Sequence, residues 1–98
     1  MYRKTFQKNF PHFFGAQVTV FRGEKNYFVI ISDRDGVNYY FVDKELKCMY
    51  PVSSYMRKMG IVQVDASRDT LEFSFEIDLS NLGCATCPEW FIQLVKTK

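Results

Sequence analysis

The chain alternates most clearly at Leu71-Glu72-Phe73-Ser74-Phe75-Glu76-Ile77-Asp78-Leu79, where every second residue is apolar. A period of two sends Leu71, Phe73, Phe75, Ile77 and Leu79 to one side of a strand and Glu72, Ser74, Glu76 and Asp78 to the other. No helical reading survives that pattern. Gln17 to Arg22 alternates more weakly, with Val18 and Val20 on one face. Tyr27-Phe28-Val29-Ile30-Ile31 is apolar on both faces, which predicts an inner strand covered above and below. Between these two lies the turn cluster Gly23-Glu24-Lys25-Asn26. Asp33-Arg34-Asp35-Gly36 then returns the chain into a third strand, Val37 to Asp43, because Asp-Gly accommodates the positive φ of a tight hairpin. The three segments predict an antiparallel meander. Ile61 to Asp65 predicts a fourth strand, closed by a turn at Ala66-Ser67-Arg68-Asp69.

Helical signals are fewer. Tyr2, Phe6 and Phe10 recur every four residues, with Arg3, Lys4 and Lys8 elsewhere on the cylinder, and Pro11 ends the run. Residues 1–14 are therefore expected to form a helical or arm-like N-terminal segment. Pro51 to Gly60 reads as a short helix with Arg57 and Lys58 in its last turn and Gly60 as its stop. In the tail, Pro88 and Glu89 suit a helix first turn, while Trp90-Phe91-Ile92 with Leu94-Val95 suits a buried strand. Strand is the expectation. The sum is one β-rich α+β domain spanning residues 1–98. Its expected form is a curved antiparallel sheet or small open barrel of five to six strands with one or two short helices.

Composition narrows the function classes. With 98 residues, 47% of them apolar and 24% charged, the chain can bury one modest core. A folded body of this mass exposes roughly 5,800 Å² of about 17,000 Å², which leaves no second lobe for a substrate or cofactor domain. The longest apolar run, Tyr27 to Ile31, falls far short of the roughly 20 residues that span a bilayer. The N-terminus has early positive charge without an apolar stretch after it, so neither a secretory signal nor a membrane partner is expected. Three cysteines, Cys48, Cys84 and Cys87, are an odd number with one close pair, unlike a secreted disulfide scaffold; this predicts a cytoplasmic protein. Net charge is only +2, but residues 1–60 carry ten Lys/Arg against five Asp/Glu, and residues 61–98 carry three against six. Such a dipole suits electrostatic steering toward a partner. Seventeen aromatics exceed what a core this small can hold, so some should stand at a binding surface.

Reactive groups are sparse. His12 is the only histidine, so a triad, a histidine general base or a helical zinc motif would have to use it. Cys84-Ala85-Thr86-Cys87 has the spacing of a metal or redox pair. A zinc site would need further ligands, and only Cys48 and His12 remain to join Cys84 and Cys87. The Asp33-Arg34-Asp35-Gly36 turn resembles the start of a calcium loop, but position 44, where a bidentate Glu would close it, is Lys44. No Gly-rich phosphate loop can be drawn from Gly15, Gly23, Gly36, Gly60 and Gly83. No cofactor and no enzymatic turnover are expected. The leading expectation is a small interaction domain that docks on a partner macromolecule, another protein first, as an inhibitor or adaptor. Its contacts would be the acidic Glu72, Glu76 and Asp78 with Tyr39, Tyr40, Tyr55 and Trp90, since aromatics carry disproportionate interface energy. The alternative is a nucleic-acid-binding β-domain. There Arg3, Lys4, Lys8, Arg22 and Lys25 would track phosphates and the interleaved rings would stack on bases. An exposed edge strand would also admit a homodimer.

Overall fold

The structure is a computed structural model that describes residues 2–10, 16–52, 67–71 and 83–96. The described strands are β1 (Tyr2–Phe10), β2 (Ala16–Arg22), β3 (Asn26–Asp33), β4 (Gly36–Asp43), β5 (Cys48–Pro51), β6 (Thr70–Leu71) and β7 (Ala85–Thr86). They form one open seven-stranded sheet in the order β6-β1-β2-β3-β4-β5-β7, with every pair antiparallel. A single described helix, α1 (Glu89–Lys96), completes a β-rich α+β fold. Among the described residues, no helix is long and apolar enough to cross a membrane.

The predicted meander is present at β2-β3-β4. At its first turn the Gly23 N–H donates to the Asn26 carbonyl at 2.8 Å. Tyr2 explains why residue 23 is glycine: a Cβ there would lie 2.5 Å from the tyrosine ring and 2.9 Å from the Asn26 carbonyl. The Tyr2 hydroxyl donates to Asn26 Oδ1, which satisfies an otherwise buried amide. At the second turn Asp33 pairs with Gly36, whose φ of 139° favours glycine, and the Asp35 N–H donates to Asp33 Oδ1 at 2.9 Å. The Asp33 side chain thus belongs to hairpin geometry.

Three sequence expectations are corrected. Residues 2–10 form a strand, in which Tyr2 and Phe6, four apart as on a turn of helix, face opposite sides of the sheet. A nine-residue helix would also be too short to stand on its own propensity, whereas β1 pairs with β2 over most of its length. Residues 89–96 form a helix. Phe91 and Leu94 are buried with Ile92 and Val95 beside them, a helical stripe, while the Gln93 amide donates to Glu89 at 2.9 Å one turn back. Pro51 lies in β5 opposite Tyr40 and so does not open a helix there. The helix expected to run on to residue 60, the strand at 61–65 and residues 72–79 of the alternating segment lie outside the described residues; Thr70–Leu71 are in β6.

The sheet has two unlike faces. On one, Val18, Val20, Val29 and Val42 pack with Leu46, Met49 and Cys87 beneath Phe91 and Leu94 of α1. On the other, Phe21, Phe28 and Phe41 lie opposite one another across β2, β3 and β4, joined by Ile30, Val52 and Leu71. Phe28 and Phe41 are 4.9 Å apart at their centroids, and Tyr39 stacks on Phe28 at 6.0 Å. Each buried aromatic is worth roughly 1.5–3 kcal/mol of transfer energy.

The pairing of Cys48 with Cys84 was not legible in sequence. Cys48 and Cys84 form a disulfide, and Cys87 is the free, buried thiol. The Cys84/Cys87 metal or redox pair is therefore not made: β5 pairs with β7, Cys48 opposite Thr86, and brings Cys84 onto Cys48.

A basic corner as candidate functional site

One extra residue in β1 creates the candidate site. Lys4 pairs with Phe21 and Phe6 pairs with Val20, so Thr5 is bulged between them; its hydroxyl donates to the Val20 carbonyl at 3.0 Å. The bulge exchanges faces within one strand. Before it, Tyr2 packs on the aromatic face and Lys4 Nζ lies 5.7 Å from the Phe21 ring centre. After it, Phe6 packs against the valines. Further along, a ladder of amides fixes the register: Gln7 donates to Gln17 and Thr19, and Gln17 donates to Asn9.

Arg3 falls before the bulge and therefore stands on the valine face, directly opposite Arg22. Arg22 in turn lies opposite Tyr27. Directly opposed residues have Cα atoms roughly 5 Å apart, so two guanidinium groups and a phenol ring are neighbours on one surface. Lys44, just past β4, places its ammonium 4.8 Å from the Tyr27 ring centre. Burial, and secondarily the charge of Arg22, push the Lys44 ammonium below the usual lysine range. Arg3 and Arg22 are exposed and form no ion pair among the described residues. Opposed like charges ordinarily destabilise a strand pair. An open depression of about 520 Å³ lies here, lined by Arg3, Lys4, Thr5, Arg22, Gly23 and Glu24. Three of these side chains are cations and one is an anion, so the depression favours negatively charged ligands.

The residues anticipated for contact are dispersed. Of the basic set, Arg3 and Arg22 converge, Lys4 faces the aromatic side, Lys8 lies opposite Val18 farther along β1, and Lys25 occupies the first hairpin turn. Tyr39 and Tyr40 are half-buried, Tyr39 against the aromatic core and Tyr40 against the valine core. Trp90 is 37% exposed and stands edge-on to Phe91. Glu72, Glu76, Asp78, Tyr55 and His12 lie outside the described residues. Cys48 and Cys84 are consumed by their disulfide, and burial together with nearby Asp43 pushes the Cys87 thiol up to about 11. Among the described residues, no three His, Cys, Asp or Glu side chains come together as a metal site. Lys44 was missed by sequence reasoning, since only the strand register brings it to Tyr27 and Arg22.

Set against known proteins, the chain matches no family, no curated protein and no solved structure.

Proposed function

We propose that this chain is a small interaction domain that works by docking on a partner macromolecule, as an inhibitor or adaptor, rather than by turnover. The docking surface in this reading is the basic corner, and the partner presents negative charge to it. The observation that carries it is the opposed pair Arg3 and Arg22, two exposed cations held side by side without an acidic partner among the described residues. A fold that keeps such a pair accepts a repulsion that a bound anion would turn into attraction. Lys44 on Tyr27 adds a third cation to the same face. The Cys48–Cys84 bond supports an oxidising compartment; in the cytoplasm both would be held as thiols.

Retention on an immobilised polyanion such as heparin tests the reading. The double variant Arg3→Glu/Arg22→Glu should elute at clearly lower salt than the parent chain. Lys96→Glu, a charge change in the last turn of α1, should elute close to the parent. Equal retention of all three would remove the basic corner as the docking surface.

A further inference from the structure

Resting on that docking reading, we infer that the partner at the basic corner is single-stranded nucleic acid, gripped by Arg3 and Arg22 at its phosphates and met by the rings beside them. The register supplies the reason. On the valine face the cross-strand row runs Arg3, Arg22, Tyr27, while β1 itself carries Arg3 before the bulge and Phe6 and Lys8 after it along the same side. Cations and rings therefore interleave in two directions from one corner. Phe6 and Tyr27 are each half-buried against the valine cluster, with the Lys44 ammonium over the Tyr27 ring.

Two features favour nucleic acid over an acidic protein. Paired guanidinium forks suit a phosphate, whose several oxygens accept from both, better than a single carboxylate, which one fork satisfies. Aromatic rings between cations give unpaired bases apolar edges to pack against, and a row of Asp or Glu would not use them. Beyond Arg3, which pairs with Thr70, and Lys4, whose N–H donates to the Asp69 carbonyl, no described strand continues alongside β1.

The probe is a fluorescently end-labelled oligothymidylate, titrated by anisotropy beside an abasic oligonucleotide of equal length and poly-L-glutamate. Three phosphate contacts, from Arg3, Arg22 and Lys44, predict a slope of log affinity on log salt of about −2, or about 16-fold weaker binding from about 50 to 200 mM salt. Arg3→Ala/Arg22→Ala should weaken oligothymidylate binding by about tenfold or more and flatten the slope by about 1.4, since each lost phosphate contact removes about 0.7. Lys96→Ala should change neither. The abasic strand should bind about fivefold or more weakly than the oligothymidylate, because stacking each base contributes on the order of 1–3 kcal/mol. Equal binding of oligothymidylate, abasic strand and polyglutamate, all dependent on the two arginines, would overturn the nucleic-acid assignment and leave anionic docking standing. If no probe binds, or if binding ignores both arginines, the two fall together. Melting curves on each variant keep a loss of binding distinct from a loss of fold.

Discussion

The two faces of the sheet solve the same problem with different materials. The valine face is flat and low, because β-branched side chains stand close to the pleat, and a helix can lie directly on it. The aromatic face is built from Phe21, Phe28 and Phe41, whose rings rise far enough from the sheet to pack on one another across three strands. One face is completed by an element brought from elsewhere in the chain. Among the described residues, the other is joined by side chains of its own strands and of Val52 just past β5. Stability should therefore respond to side-chain truncation on the aromatic face and to covalent tethering on the valine face.

The largest effect should come from Phe28→Ala. Phe28 is fully buried and touches Tyr2, Phe21, Tyr39 and Phe41, so truncation leaves a cavity that strands on either side cannot close. A loss of about 3–5 kcal/mol in denaturant unfolding is expected. A loss under about 1 kcal/mol would mean that the aromatic row is not a packed core.

Next is the tether. The disulfide spans a sequence separation of 36 and fixes the segment leading into α1 against β5. Chain-entropy arithmetic for such a loop gives about 3–4 kcal/mol. Cys48→Ser/Cys84→Ser should lower stability by that order, and hydrogen exchange should rise first in α1 and β7 while β2, β3 and β4 stay protected. Uniform loss of protection would place the tether in the whole fold and not in one face.

Gly23→Ala should cost about 1–3 kcal/mol, since its methyl would drive the Tyr2 ring off the aromatic face or open the hairpin. Replacing Tyr2 by alanine in the same chain should recover part of that loss, a coupling measurable by a double-mutant cycle.

Cys87 gives a pH signature to the valine face. Its thiol is held up to about 11 from an ordinary value of 9.0, chiefly by burial. Between those values the unfolded chain releases the proton and the folded chain retains it, so the unfolded state binds fewer protons and stability falls as pH rises. Below about pH 9 both states are protonated and the effect vanishes. Cys87→Ala should flatten this alkaline decline, read from unfolding midpoints across that window.

The smallest effect has the opposite sign. Arg22→Glu exchanges an opposed like-charge pair for an attractive one with Arg3 and should raise stability by about 0.2–1 kcal/mol. The same variant should lose polyanion retention. Greater stability with weaker binding would mark Arg22 as retained for contact; unchanged stability would mean the pair is already screened by solvent.

How much of this was readable beforehand depends on the range of each signal. The hairpins at Gly23–Asn26 and Asp33–Gly36 announce themselves, because glycine, asparagine and aspartate act on their own backbone. Tyr2, Phe6 and Phe10 did not disclose β1, since four is both near one helical turn and twice the strand period. The tail misled because Trp90-Phe91-Ile92 has strand-like composition, and only the placement of Gln93 between buried Phe91 and Leu94 reveals the stripe. β6 and β7 are two residues each, too short for any periodicity to register. The disulfide depends on β7 meeting β5, so it could not be read before that pairing was known. The basic corner is the same kind of case. Arg3 and Arg22 stood in the anticipated set, but their opposition requires both the register and the bulge, and Lys44 joins them only after the β4 turn is in place.

The first strand, the longest of those described, carries a demand on length that the β4 turn does not. With Thr5 inserted, the opening residues of the protein answer to one layer and those that follow answer to the other. Deleting Thr5 would leave Lys4 opposite Phe21 and Phe6 opposite Val20 in plain alternation, so Tyr2, Arg3 and Phe6 would all keep their present sides. Adding or removing a residue elsewhere in this strand would instead turn the residues beyond it to the wrong layer, so Thr5 marks the one place where its length can change.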